Sequence, residues 1–171
     1  MSTDRPRPKL KGSDLGSLDA QAQCELAKDL LKEESSQANE ELAFQLYQCA
    51  AEAGLSAAQY NLADMYLRGA GTSKDAGQAI CWFEKAAAQG DLDALFNLGL
   101  IFSSNKEVPQ DLVRSTGYFK QAAEAGLARA QYELACAYQT GRGVPVDLTE
   151  AKKWFSKAAD NAVARARKHI D

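Results

Sequence analysis

Apolar residues return along this chain at two intervals, one of three to four positions and one of 36. Around Leu62 the short interval puts Ala58 and Tyr66 one turn to either side, with Met65 and Leu55 beside them. That is the stripe of an amphipathic helix, whereas a strand would alternate by two. The long interval aligns Ala22, Ala58, Ala94 and Ala130, then Leu26, Leu62, Leu98 and Leu134, then Leu30, Tyr66, Phe102 and Tyr138. These rows predict a first helix in each unit. A second helix is predicted by Ala43, Ala79, Ser115 and Ala151, and by Leu46, Trp82, Tyr118 and Trp154 beside Tyr47, Phe83, Phe119 and Phe155. A fixed period in this range marks an array whose units bury their apolar faces only against neighbours.

Polar and small residues in the same register say where the helices stop. Asn39, Asp75, Asp111 and Asp147 stand where a side-chain oxygen can accept from an orphaned N–H at the start of the second helix. Asp75 with Gln78 and Asp147 with Glu150 approximate a capping box. Gly54, Gly90 and Gly126 close it, because a residue without Cβ takes the left-handed conformation readily. Gly69-Ala70-Gly71 and Gly141-Arg142-Gly143 mark a tight turn between the two helices. The third unit has Asn105-Lys106-Glu107 there, and Glu107 at positive φ would cost about 1 to 2 kcal/mol. Either that loop is rearranged or the second glycine is dispensable. Ala58, Ala63 and Gly99 are small where helices must approach closely.

The register gives four units, 19–54, 55–90, 91–126 and 127–162, which together make one domain. Residues 1–18, with Arg5-Pro6-Arg7-Pro8-Lys9, read as a disordered basic arm and lead-in. Ala166 and Ile170 fall on first-helix positions of a fifth unit, so 163–171 is expected to form a C-terminal capping helix fragment.

Composition narrows the function classes. At 171 residues and 46% hydrophobic the chain can bury a core, and its net charge of -3 gives no general pull toward nucleic acid or an anionic membrane. No run approaches the roughly 18 apolar residues of a membrane span, and no secretory h-region follows Met1. With residue 1 as the native start, a cytoplasmic protein is expected. Cys24, Cys49, Cys81 and Cys136 occupy four different register positions. A disulfide framework would recur with the repeat, so reduced thiols are expected.

The run Ala58-Gln59-Tyr60-Asn61-Leu62-Ala63, with Tyr66, Gly69, Gly71, Asp75, Ala79, Trp82, Phe83, Lys85, Ala86, Ala87 and Gly90, resembles the Sel-one-like repeat (SLR). Unit four matches it too, through Ala130-Gln131-Tyr132, Gly141-Arg142-Gly143-Val144-Pro145 and Trp154-Phe155. The resemblance covers about 19–162 and is weakest in unit one, which lacks the glycine loop. It implies an all-α fold: a right-handed α-solenoid of helix-turn-helix repeats, a tetratricopeptide-like superhelix. It further implies a scaffold or adaptor that holds a protein or peptide in a concave groove lined by first helices.

Helical phase, with Leu62 inward, puts Tyr60, Asn61, Asp64 and Arg68, then Asp93, Phe96, Asn97 and Leu100, then Arg129 and Tyr132 on the opposite side of the first helices. By the resemblance that side faces the groove. Aromatic anchors inside a charged rim suit a peptide interface. Two readings stay open for Tyr60, Phe96 and Tyr132: groove anchors, or packing against the neighbouring first helix.

A self-assembly module using the terminal repeats is the alternative. The distant alternative, a β-lactam-binding enzyme, comes from the cysteine-rich secreted branch of the family. Ser103-Ser104-Asn105-Lys106 does spell S-x-x-K, but neither Ser-Asp-Asn nor Lys-Thr-Gly completes such a site. The only His is His169, which excludes a His-based triad or multi-His metal site within one chain. No catalytic residue, cofactor or metal site is predicted, and the chain is read as a non-enzyme.

Overall fold

The computed structural model describes residues 18–32 and 36–167, with side chains described as far as 162. The basic arm up to residue 17, together with His169 and Ile170, lies outside the described residues. Among those residues there are eight helices and no strand. They are α1 (Ala20–Lys32), α2 (Gln37–Glu52), α3 (Ser56–Arg68), α4 (Ala76–Ala88), α5 (Leu92–Ser104), α6 (Leu112–Glu124), α7 (Ala128–Thr140) and α8 (Leu148–Arg167). Two compact units divide the chain, one ending at Lys74 and the other starting at Asp75.

In the first unit α2 packs against both α1 and α3. The fully buried Cys24, Ala27, Leu46, Tyr47, Leu62 and Met65 belong to its core. Burial pushes the Cys24 thiol and the Tyr47 phenol up, so both remain neutral core groups. Gln59 is buried as well, and its amide donates to the Ala51 carbonyl at 3.2 Å.

The start of α2 differs from the sequence reading. Ser36, three residues before Asn39, is the cap, and its hydroxyl accepts from the Asn39 N–H. Asn39 lies inside the helix and reaches back to the Leu30 carbonyl at 3.4 Å. A serine in the extended conformation one turn earlier satisfied the orphan donor first.

In the second unit α4 to α8 pack in succession, each against the next. Asp75, Asp111 and Asp147 cap α4, α6 and α8, accepting from the N–H of Gln78, Arg114 and Glu150 at 2.9 to 3.0 Å. The reciprocal half of the capping box is not made at Asp147, because the Glu150 carboxylate accepts from Lys153 and from the Trp154 indole. At Gly90 the φ is 90°, and two bonds, Gly90 N–H to Ala87 and Asp91 N–H to Ala86, close α4 in a Schellman turn.

Gly99 shows why a small residue recurs at that register. A Cβ there would enter the ring of Phe119, and the Gly99 carbonyl accepts the buried Ser115 hydroxyl at 2.8 Å. Gly143 (φ 71°) brings its loop against α6, so that a Cβ would collide with the Leu112 carbonyl, while Thr116 donates to the Arg142 carbonyl at 2.8 Å.

The third loop is rearranged. No non-glycine residue has positive φ among the described residues. Asn105 leaves α5 in an extended conformation, and its side chain accepts the Glu107 N–H at 2.7 Å. The end of the chain also departs from the period. Ala162 stands one period after Gly126, and α8 runs through it without a turn to Arg167. Residues 163–167 of the expected capping fragment therefore continue α8, and 168–171 lie outside the described residues.

Candidate protein-binding face

The residues singled out by helical phase fall in both units. In the first, Tyr60 on α3 is half-buried, and Asp64 accepts from Arg68 one turn on at 2.6 Å. An exposed i,i+4 pair of this kind contributes about 0.3 to 0.5 kcal/mol and neutralises both charges locally. Asn61, on the same side by helical phase, donates to the Ala57 carbonyl of its own helix at 2.7 Å.

In the second unit, α5 and α7 meet through charge and ring. Phe96 of α5 leans on Phe119 of α6, ring centroids 5.5 Å apart, and is half-buried. Arg129 of α7 lies over the Phe96 ring, 4.3 Å from its centre, and donates to the Asp93 carboxylate. Asp93, Phe96 and Arg129 thus form one stack in which a cation sits on a π-face and is held there by a carboxylate. Asn97 beside it is half-buried.

Two large apolar residues are also exposed on these two helices. Leu100 is 38% exposed and Tyr132 is 54% exposed. Tyr132 touches Phe155 of α8 edge-on at 5.5 Å, so one edge of the ring packs within the repeat while most of it faces solvent. Packing and exposure are therefore divided differently between the two rings: Phe96 is half-buried under Arg129 of the next repeat, and Tyr132 is more than half exposed.

No catalytic constellation is assembled at Ser103. Its hydroxyl donates to the Leu100 carbonyl at 2.9 Å in the last turn of α5, and Lys106 lies beyond the helix end at Asn105. The spacing that would put a lysine amine one helical turn from the serine does not act on a helix here. Among the described residues, no group of three or more His, Cys, Asp or Glu is placed to hold a metal. No helix among them is long and apolar enough to cross a membrane.

Two further concavities escaped the sequence reading. One, of about 710 Å³, is lined by Ile80, Phe102, Val108, Pro109, Leu112 and Arg114, beside the loop that carries Glu107. Arg114 is engaged there, 3.9 Å over the Phe102 ring and 3.4 Å from Glu84, which also accepts the Tyr118 hydroxyl. The other, of about 450 Å³, lies between α7 and α8 and is almost wholly apolar, with Tyr132, Phe155, Ala158, Ala159 and Ala162 in its wall. The signals were two residues that break the glycine register, Glu107 and Ala162.

Comparison with known proteins agrees with this architecture. No curated protein matches the chain. Among solved structures, a Sel1 repeat protein from Oxalobacter formigenes is 30% identical with a TM-score of 0.78, over 87% of this chain and 60% of the other. A protective antigen of uropathogenic Escherichia coli with an SLR fold is 33% identical, again with a TM-score of 0.78, over 89% of this chain and 33% of the other. The chain thus spans less than two thirds of the length of either. The Sel1 repeat model matches residues 20–55, 56–91, 92–127 and 128–163. Each of these segments opens at a first helix, and the first three close just past the end of a second while the fourth closes within α8, so the chain belongs to the Sel1 repeat family, an all-α solenoid class.

Proposed function

We propose that the chain is a scaffold that binds a protein segment on the α5/α7 side of its second unit. Sel1 repeat proteins generally mediate protein–protein interaction, and the fold is a typical non-catalytic repeat scaffold. The observation that carries the reading is the exposure of Leu100 and Tyr132 beside the Asp93–Arg129–Phe96 stack. An apolar centre next to a preorganised charged rim is the arrangement in which a few residues supply most of the affinity. The paired Arg129 and Asp93 contribute register and charge selection rather than bulk affinity.

Leu100→Asp is the cleanest test, because Leu100 is an apolar residue of α5 that stands exposed. Partners captured from the source cell by the wild-type protein, measured one by one against the variant, are expected to bind about 1 to 3 kcal/mol more weakly. Helicity by circular dichroism is expected to be unchanged. Equal affinities for wild type and variant would remove this face from consideration.

A further inference from the structure

The apolar cleft between α7 and α8 is one repeat unit's worth of uncovered surface, and the chain itself shows what fits it. One period earlier, Ala122 and Ala123 of α6 are buried to 0% and 1% exposure beneath α7. Ala130 and Leu134 of α7 join them in one core cluster, with Leu127 and Phe96 packed at its edge. The corresponding positions on α8 are Ala158, at 9% exposure, and Ala159, which is exposed like Ala162 beyond it. The surface is the same, and no described helix covers it as α7 covers α6.

A segment with the pattern of that cover is present in the sequence. Val163, Ala166 and Ile170 stand one period after Leu127, Ala130 and Leu134. It is not delivered to its own unit, because the position of the reversing glycine is occupied by Ala162 and the backbone of 163–167 continues along α8. A helix cannot pack on itself, so the backbone of 163–167, running on along α8, does not fold back over the cleft beside it.

We propose that the cover is the 163–170 segment of a second copy of this chain, exchanged reciprocally. Within the array, a helix that follows a second helix through a short turn runs antiparallel to it. A two-fold axis crossing α8 beside Ala162 likewise sets the partner copy's α8 antiparallel, so each extension enters the other's cleft in the direction α7 takes over α6. The contact is isologous and closes at two copies. Charge does not drive it: Arg165 falls one period from Arg129, which Asp93 already holds, so the attraction is apolar burial of Val163, Ala166 and Ile170 against Tyr132, Phe155, Ala158 and Ala159.

Sedimentation velocity of the full chain at tens of micromolar is the test. A dimer is expected. Ala159→Arg, which blocks an exposed position in the cleft, and Ile170→Asp, which spoils the extension, are each expected to raise the dimer dissociation constant at least about tenfold with helicity unchanged. An equimolar mixture of the two variants is expected to associate more tightly than either alone, since the intact extension of the first meets the intact cleft of the second. A monomer throughout, a dimer indifferent to both variants, or a mixture no better than its components would overturn the proposal. Leu100→Asp is expected to leave the dimer unaffected, which separates this result from the test of the partner-binding face.

Discussion

Repeat three carries Glu107 where repeat four carries Gly143, and the two loops go different ways. In repeat four the glycine, at φ 71°, lets the backbone settle on the first turn of α6, where Thr116 holds the Arg142 carbonyl. In repeat three Asn105 folds back on the Glu107 N–H, and a cavity opens between α4 and α6. The same two repeats diverge a second time where they end. Gly126 reverses the chain after α6, and Ala162 lets α8 run on. At the buried position on the first helix, Leu95 stands in repeat three and Gln131 in repeat four, whose amide donates to the Ala123 carbonyl at 3.0 Å. The period preserves the helix pair, and the surface that each pair offers is set by the few residues that leave it.

The hardest blow to this comparison is to import one loop into the other. Gly143→Glu places a side chain at positive φ, which costs about 1 to 2 kcal/mol. Its Cβ would also collide with the Leu112 carbonyl, forcing the loop off α6 and releasing the Thr116 bond, worth about 1 kcal/mol more. A loss of about 3 kcal/mol is expected in urea unfolding, and a loss below about 1 kcal/mol would mean that the glycine contact is not what seats the loop.

A smaller effect is expected at the helix contact. Gly99→Ala gains about 1 kcal/mol of helix propensity. It also drives a methyl group into the Phe119 ring, where overpacking costs about 1 to 3 kcal/mol. The net expectation is a loss of about 1 kcal/mol by urea melt, with a stabilised variant showing that the ring has room to move. Repeat four has Ala135 at this position, fully buried. The substitution therefore also asks whether α5 and α7 sit at the same depth on their second helices.

Much of this architecture was legible because its causes are local. Glycines at φ near 90° and aspartates one residue ahead of a helix act through bonds to their immediate neighbours, so their recurrence names the helix ends. Asn39 misled because a second capping residue, Ser36, lay within one turn of it and local chemistry does not rank the two. The candidate face was legible by phase, in that Asp93, Phe96 and Leu100 share one side of α5. Its covering was not. Whether an aromatic on a first helix is shielded depends on a side chain of the next repeat, and only the structure shows Arg129 reaching back across Phe96.

The smallest expected effect is the reverse exchange, Glu107→Gly. If the third loop were a strained copy of the fourth, glycine would relieve the strain and stabilise the protein. Glu107 has no positive φ to relieve, and its N–H is already bonded to Asn105. The substitution then acts on the unfolded chain, whose added freedom costs about 0.5 kcal/mol on folding. Urea unfolding is expected to show that small loss together with an unchanged m-value, because the surface exposed on unfolding is the same. A gain in stability instead would mean that the loop had been waiting for a glycine, and that the cavity beside Phe102 is held open by a single side chain.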